Sequence, residues 1–179
     1  NYEHFYEVVE LHNTWSSLAG ISLFGLIGLW KGNPTQEWHY FLEYFILFLI
    51  GVGSGCFSLA MVFIATYTFA SNYHAYLMYT TVFKHNKGGV TSRNLCKAFQ
   101  VSYLGGFIFW LLDMFHCDYS VLGKGMTFHV LWHFGAGFGG YLGLVTLENC
   151  RVVALNMKCE IAYVLGFVPY VKLLDEKRD

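Results

Sequence analysis

Long uncharged stretches alternate with short polar segments along the 179 residues of this chain. Most of these stretches approach the roughly 20 apolar residues that an α-helix needs to cross a bilayer. The apolar piece at residues 75–83 reaches that length only if its helix begins earlier. The pattern therefore predicts an all-α transmembrane helical bundle in one membrane domain, residues 1–179, with about five spans at residues 11–30, 40–63, 64–83, 98–116 and 126–147.

The distribution of positive charge gives the predicted bundle an orientation. The five spans place ten of the 11 Lys and Arg residues on one side and only Lys124 on the other. Because cytosolic loops of membrane proteins are rich in Lys and Arg, we expect the N-terminus outside and the C-terminus in the cytosol or its equivalent. The polar stretch Lys84–Lys97 is predicted to be a loop on the cytosolic side, and residues 148–179 an amphipathic tail on the same side.

Composition narrows the function classes. Charged residues make up 13% of the chain, against about a quarter in soluble domains. The net charge of −1 provides none of the basic field on which nucleic-acid binding depends, so no nucleic-acid partner is expected. The five cysteines form no CxxC pair, so they indicate neither a disulfide framework nor a thiolate metal site.

Two histidines in the last predicted span are the strongest candidates for chemistry. His129 and His133 are four residues apart, so on a helix they project from one face with their Cβ atoms about 5–6 Å apart. That spacing allows two imidazoles to bind one metal ion. The same pair could instead form hydrogen bonds to neighbouring helices, and the spacing alone does not decide between the two interpretations.

The surroundings of this pair resemble a known family. His129 and His133 lead into the glycine-rich segment Phe134–Leu142, which resembles the last helix of the alkaline ceramidases. Three further segments resemble motifs of that family in the same order: Asn1-Tyr2 with Glu10–Thr14, then Gly51–Ser58, then Phe109–Asp113 with Cys117. Together these fragments cover most of the chain.

The resemblance implies a ceramidase fold and chemistry. In that family zinc activates water to attack the amide bond of a ceramide. Carried over to this sequence, His129 and His133 are zinc ligands and Ser54 helps to stabilise the oxyanion, while Asn1 and Glu10 match two calcium ligands. The implied partners are membrane lipids, ceramide or a related N-acyl lipid, and the implied location is the endoplasmic reticulum or Golgi.

Several departures from the family pattern leave the catalytic site incomplete. Ser58 stands where the family has its third zinc histidine, and a hydroxyl is a much weaker zinc ligand than an imidazole. The segment His74–Met78 lacks both acids of the corresponding family stretch. Two of the family's seven helices are also missing, an even number that leaves the topology unchanged. His74, or His12 from the first span, is a candidate replacement ligand.

Two functional hypotheses follow from these matches and departures. In the first, the chain is a zinc-dependent ceramidase-like amidohydrolase whose activity is weak, or a pseudoenzyme in which it is lost. In the second, it is a non-catalytic structural or accessory subunit of a larger membrane complex that binds lipid, and the mitochondrial inner membrane becomes a further candidate location. The missing ligand, acids and helices favour the second hypothesis, whereas descent favours the first.

Overall fold

The fold is given by a computed structural model, which describes residues 14–55, 73, 75–84, 88–115 and 128–174. Helices dominate it, and residues 14–17 are already helical. The elements that follow are a π-helical turn (Leu18–Ser22), α1 (Leu23–Lys31), α2 (Trp38–Gly55), a second π-helical stretch (Tyr79–Lys84), α3 (Gly89–Phe115), α4 (Phe128–Ala154), β1 (Cys159–Val164) and β2 (Val168–Leu173).

Two helices among the described residues are long and apolar enough to cross a membrane, namely α3 over Gly89–Asp113 and α4 over its whole length. A shorter apolar helical stretch covers Trp38–Val52 in α2. Large apolar side chains such as Val101 and Leu104 are exposed on α3, whereas most of α4 is buried. The expectation of a mostly helical chain is confirmed, and the arrangement of five spans stays a prediction.

The predicted loop Lys84–Lys97 is wrong for residues 89–97, because α3 already begins at Gly89, and for Lys84, which ends the second π-helical stretch. Arg93 and Lys97 therefore lie in the first turns of this helix. Long cationic side chains can keep their charges in water while their stems follow the helix surface. A helix can thus continue past the apolar segment by which hydropathy identifies it, as α4 also does on its way to Ala154.

The all-α prediction is wrong for the C-terminal tail, where β1 and β2 pair along their whole length as an antiparallel hairpin. At its turn, Leu165 and Gly166 have φ angles of 55° and 79°. Positive φ at both central positions is what a type I′ hairpin turn requires. The β-branched and aromatic residues on both sides of this turn favour strands, and an amphipathic composition alone does not distinguish strand from helix.

The hairpin shares its core with the helices. The Tyr141 ring of α4 lies 5.8 Å from the Phe24 ring of α1, and its hydroxyl donates a hydrogen bond to the Pro169 carbonyl of β2 at 2.7 Å. Val168 and Val171 of β2 are buried in the same cluster. This packing fixes the position of the hairpin relative to α4.

Near its C-terminal end, α4 is joined to the connection between α1 and α2. Glu148 is 1% exposed, and its Oε1 accepts a hydrogen bond from the backbone N–H of Asn33 at 2.5 Å. One turn further on, the exposed guanidinium of Arg151 forms an ion pair with Glu37 at 2.7 Å. These two contacts stabilise the path of the chain between the first two helices.

Candidate functional site

The histidine pair lies at the beginning of α4, on one face of the helix. The ring centroids of His129 and His133 are 4.6 Å apart, and the ring planes meet at 79°. His133 is 3% exposed, whereas His129 is partly exposed. The structure therefore brings two imidazoles side by side at the N-terminal end of α4.

Asp113, near the end of α3, orients His129. Its Oδ2 lies 3.1 Å from Nδ1 of the His129 ring, and its Oδ1 accepts the backbone N–H of the same residue at 3.2 Å. That N–H belongs to the first turn of α4, where amides lack partners within the helix and a negative charge is favourable. Asp113 thus positions the ring and caps the helix at the same time.

Two buried serines that precede the first π-helical turn orient His133. Its Nδ1 lies 2.7 Å from Oγ of Ser16 and 3.2 Å from Oγ of Ser17. A serine hydroxyl can donate to an imidazole nitrogen or accept from it. If Nε2 binds a metal ion, Nδ1 carries the proton and donates it to a serine oxygen.

Glycines allow the serine segment to approach α4 this closely. A Cβ on Gly20 would lie 2.9 Å from the backbone nitrogen of Phe134, and a Cβ on Gly137 would collide with the carbonyl oxygen of Gly20. Small residues permit such close helix crossings in membrane proteins. The glycine-rich segment after His133 is therefore the surface on which the serine segment packs.

The contact between α3 and α4 also depends on glycine. A Cβ on Gly135 would lie 2.7 Å from Cα of Gly106. Beside this contact, the Trp132 ring lies 6.3 Å from the rings of both Tyr103 and Trp110. These large rings place apolar surface on α4 next to His133.

Each ring of the pair has one nitrogen that these polar partners do not engage. Because Nδ1 of His129 contacts Asp113 and Nδ1 of His133 contacts the two serines, Nε2 is the atom of each ring that remains for a metal. Zinc-ligating histidines are commonly supported in this way through their other nitrogen. Catalytic zinc takes three protein ligands, and within the described ranges no group of three or more His, Cys, Asp and Glu side chains could hold a metal ion.

The other predicted site residues stay predictions. Ser54 belongs to the last turn of α2, and its proposed role at the oxyanion is untested. The residues that lie outside the described ranges are the calcium candidates Asn1 and Glu10, the third-ligand candidates His12 and His74, and Ser58.

Sequence reasoning missed the groups that orient the histidines. Asp113 belongs to the Phe109–Asp113 motif, but an acid at the end of a span is also typical of simple solvation. A usable signal exists, because an acid that ends one span and a histidine that opens the next lie at the same membrane face. No pattern singles out Ser16 and Ser17, since serines in membrane helices are commonly packing residues.

Comparisons with known proteins identify the family of the chain. The Ceramidase family model matches residues 58–172, more than half of the chain. Alkaline ceramidase YPC1 of Saccharomyces cerevisiae is 31% identical over 84 residues, which cover 41% of this chain and 27% of that protein. Alkaline ceramidase 3 of Mus musculus is 27% identical over 85 residues (42% and 32%), and the alkaline ceramidase of Arabidopsis thaliana is 29% identical over 86 residues (46% and 32%).

The matched part amounts to about a third or less of each curated relative. No solved structure matches the chain significantly. The family match includes both histidines of α4 and the hairpin up to Lys172, and a family of membrane proteins agrees with the two long apolar helices. As its motifs predicted, the chain belongs to the alkaline ceramidase family.

Proposed function

We propose that this chain binds zinc through Nε2 of His129 and Nε2 of His133 and hydrolyses the amide bond of ceramide or a related N-acyl lipid. Membership of the family supports the reaction class and the lipid substrate. One observation carries the metal assignment: Nδ1 of each ring contacts a polar partner from another segment, so both Nε2 atoms remain for one ion.

Zinc at this position would polarise the amide carbonyl and lower the pKa of a bound water. The residues of the chain supply the orientation. Asp113 fixes the ring of His129 through a carboxylate contact, which also makes the imidazole a stronger ligand. Ser16 and Ser17 act on His133 in the same way but as neutral acceptors, and Ser54 would donate a hydrogen bond to the oxyanion.

The proposed activity is weak, because the ligand set departs from the family pattern. Ser58 replaces the third zinc histidine, and His74 is the proposed replacement ligand. A calcium ion at Asn1 and Glu10 and a location in the endoplasmic reticulum or Golgi belong to the same proposal, on the strength of the resemblance.

The test is the zinc content of the purified chain together with its hydrolysis of a fluorescent ceramide in detergent micelles. We expect about one zinc per chain, with both metal and hydrolysis lost in His133→Ala. His39→Ala is the matched control, because this partly exposed imidazole on α2 lies beside Glu37 and the neighbouring Tyr40 ring, away from the histidine pair of α4. The His74→Ala variant tests the replacement ligand, and we expect it to lower zinc content.

Different failures have different meanings. Zinc without hydrolysis would contradict the catalytic part and identify a pseudoenzyme that retains its metal. A correctly assembled, metal-free chain would overturn the zinc site and favour the alternative of a non-catalytic, lipid-binding accessory subunit.

A further inference from the structure

The C-terminal hairpin folds back along α4 instead of extending away from the helices. At the start of β1, the thiol of Cys159 lies 3.5 Å from Oδ1 of Asn149. Further along the hairpin, Pro169 of β2 accepts the hydrogen bond from Tyr141. Because Tyr141 precedes Asn149 in α4, the hairpin runs from its open end towards the middle of the helix.

This direction leads into the apolar part of α4. Residues 129–147 contain no Asp, Glu, Lys or Arg, and Glu148 is the first charged residue after them. Tyr141 lies six residues before Leu147, which is about 9 Å along a helix. Phe138 lines a cavity together with Phe167 of the hairpin. It lies about 14 Å along the helix from Leu147, the last residue of the uncharged segment. If α4 crosses the bilayer, the hairpin tip lies at the depth of the hydrocarbon.

The exposed side chains of the hairpin change in character in the same direction. Near the open end, Glu160 of β1 and Lys172 of β2 form an exposed ion pair at 3.1 Å. Towards the tip the exposed side chains are Tyr163 (61%), Leu165 (72%) and Phe167 (60%). At about 3.3 Å per residue, Tyr163 lies about 10 Å beyond Glu160. A change from charged to aromatic and apolar side chains over this distance is typical of a surface that enters a bilayer.

The space beside the tip has the same polarity. A cavity of about 380 Å³ lies between the hairpin, α3 and α4. Its lining includes Thr91 and Asn94 near the beginning of α3, Ala98 one turn further along that helix, and the aromatic rings of Phe138 and Phe167. The orientation predicted from positive charge places the beginning of α3 at the cytosolic surface, so Ala98 lies deeper in the membrane than Thr91.

We propose that the hairpin is a membrane-inserted element whose tip, formed by Tyr163, Leu165 and Phe167, contacts the acyl chains of the leaflet at the C-terminal end of α4. The pairing of β1 with β2 satisfies the backbone groups on the facing edges of the two strands, which would be costly to leave unpaired near hydrocarbon. The burial of Val168 and Val171 in the helical core prevents the tip from moving away from α4. The proposal depends on the membrane crossing of α4 and is independent of zinc binding and hydrolysis.

Spin labelling of the full chain in phosphatidylcholine nanodiscs tests this proposal. A nitroxide is attached at Leu165→Cys, at Phe167→Cys, and at the control Lys172→Cys near the open end, with the signal of the labelled parent chain subtracted. Both tip labels should collide several-fold more often with oxygen, which partitions into lipid, than with a water-soluble nickel complex. The control label should show the opposite preference. All three labelled positions are exposed, so folding can be checked by elution with the parent.

Equal access of the nickel complex to the tip and control labels would place the tip in water and overturn the proposal. Protection of the tip labels from both reagents would also overturn it, since the tip would then be covered by protein, such as a second copy of the chain. Neither result would affect the zinc measurement, so the two proposals fail separately.

Discussion

The two ends of α4 are fixed by different kinds of contact. At the N-terminal end, side chains of other segments reach the imidazole rings, with Asp113 on His129 and the serines on His133. From the middle of α4 to its C-terminal end, side chains of the helix reach the backbone of other segments, with Tyr141 on the Pro169 carbonyl and Glu148 on the Asn33 N–H, and Arg151 adds an ion pair with Glu37.

The first kind of contact positions individual side chains, whereas the second positions the backbone. Contacts between side chains fix which ring nitrogen is engaged and therefore which one can bind a ligand. Contacts to the backbone fix the path of the hairpin and of the connection between α1 and α2. We therefore expect substitutions at the histidine end to change metal binding more than stability, and substitutions at the other end to do the reverse.

The largest effect should come from Gly137→Ala, which separates the serine segment from α4. It should therefore lower both stability and metal binding, although it lies near the histidine end. The new Cβ would collide with the carbonyl of Gly20, so we expect about 3 kcal/mol less stability and reduced zinc content. Gly140→Ala is the control, because its Cβ would make only an ordinary contact with Leu47 at 3.5 Å. Unfolding in mixed micelles measures the stability of both variants. Equal stability of Gly137→Ala and Gly140→Ala would contradict the packing described.

The next effect concerns the C-terminal end alone. Glu148→Ala leaves the partly buried N–H of Asn33 without its acceptor, which should lower the free energy of unfolding by about 1–3 kcal/mol. Glu148→Gln keeps an oxygen acceptor and should cost less. Zinc content should stay at the parent value in both. A loss of zinc in Glu148→Ala without loss of stability would contradict the division between the two ends.

Asp113→Asn sharpens the comparison from the histidine side. The amide keeps an oxygen for the His129 N–H but removes the charge beside its ring. Loss of such a partner typically lowers metal affinity about 10- to 100-fold, whereas thermal stability should change little. Competition with a zinc chelator gives the affinity, and Glu160→Gln at the exposed hairpin pair is the charge-matched control. Equal affinities of the two variants would argue against an orienting role of Asp113.

The smallest effect should follow removal of the serine hydroxyls. Ser17 lies close enough to replace Ser16 as the partner of Nδ1, so Ser16→Ala alone should leave zinc affinity nearly unchanged. The double variant Ser16→Ala/Ser17→Ala should weaken it by a few-fold, less than Asp113→Asn, because a neutral acceptor supports the ring less than a carboxylate. The same chelator competition measures this ranking, and a larger loss in the double variant would reverse it.

The sequence predicted the family and the histidine pair because both are local patterns, a four-residue spacing and a glycine-rich continuation. It did not predict Ser16 as a partner of His133, since the two are 117 positions apart and only a helix crossing brings them together. The hairpin was missed for another reason. Hydropathy measures apolar content, which strands and amphipathic helices share, and the positive φ of Leu165 follows from strand pairing.

Zinc K-edge X-ray absorption of the purified chain tests the central claim most directly, because it reports the ligands of the metal themselves. The account predicts imidazole nitrogens at about 2.0–2.1 Å from zinc, with this contribution lost in His129→Ala and His133→Ala. A spectrum without imidazole ligands, or one that both substitutions leave unchanged, would contradict it.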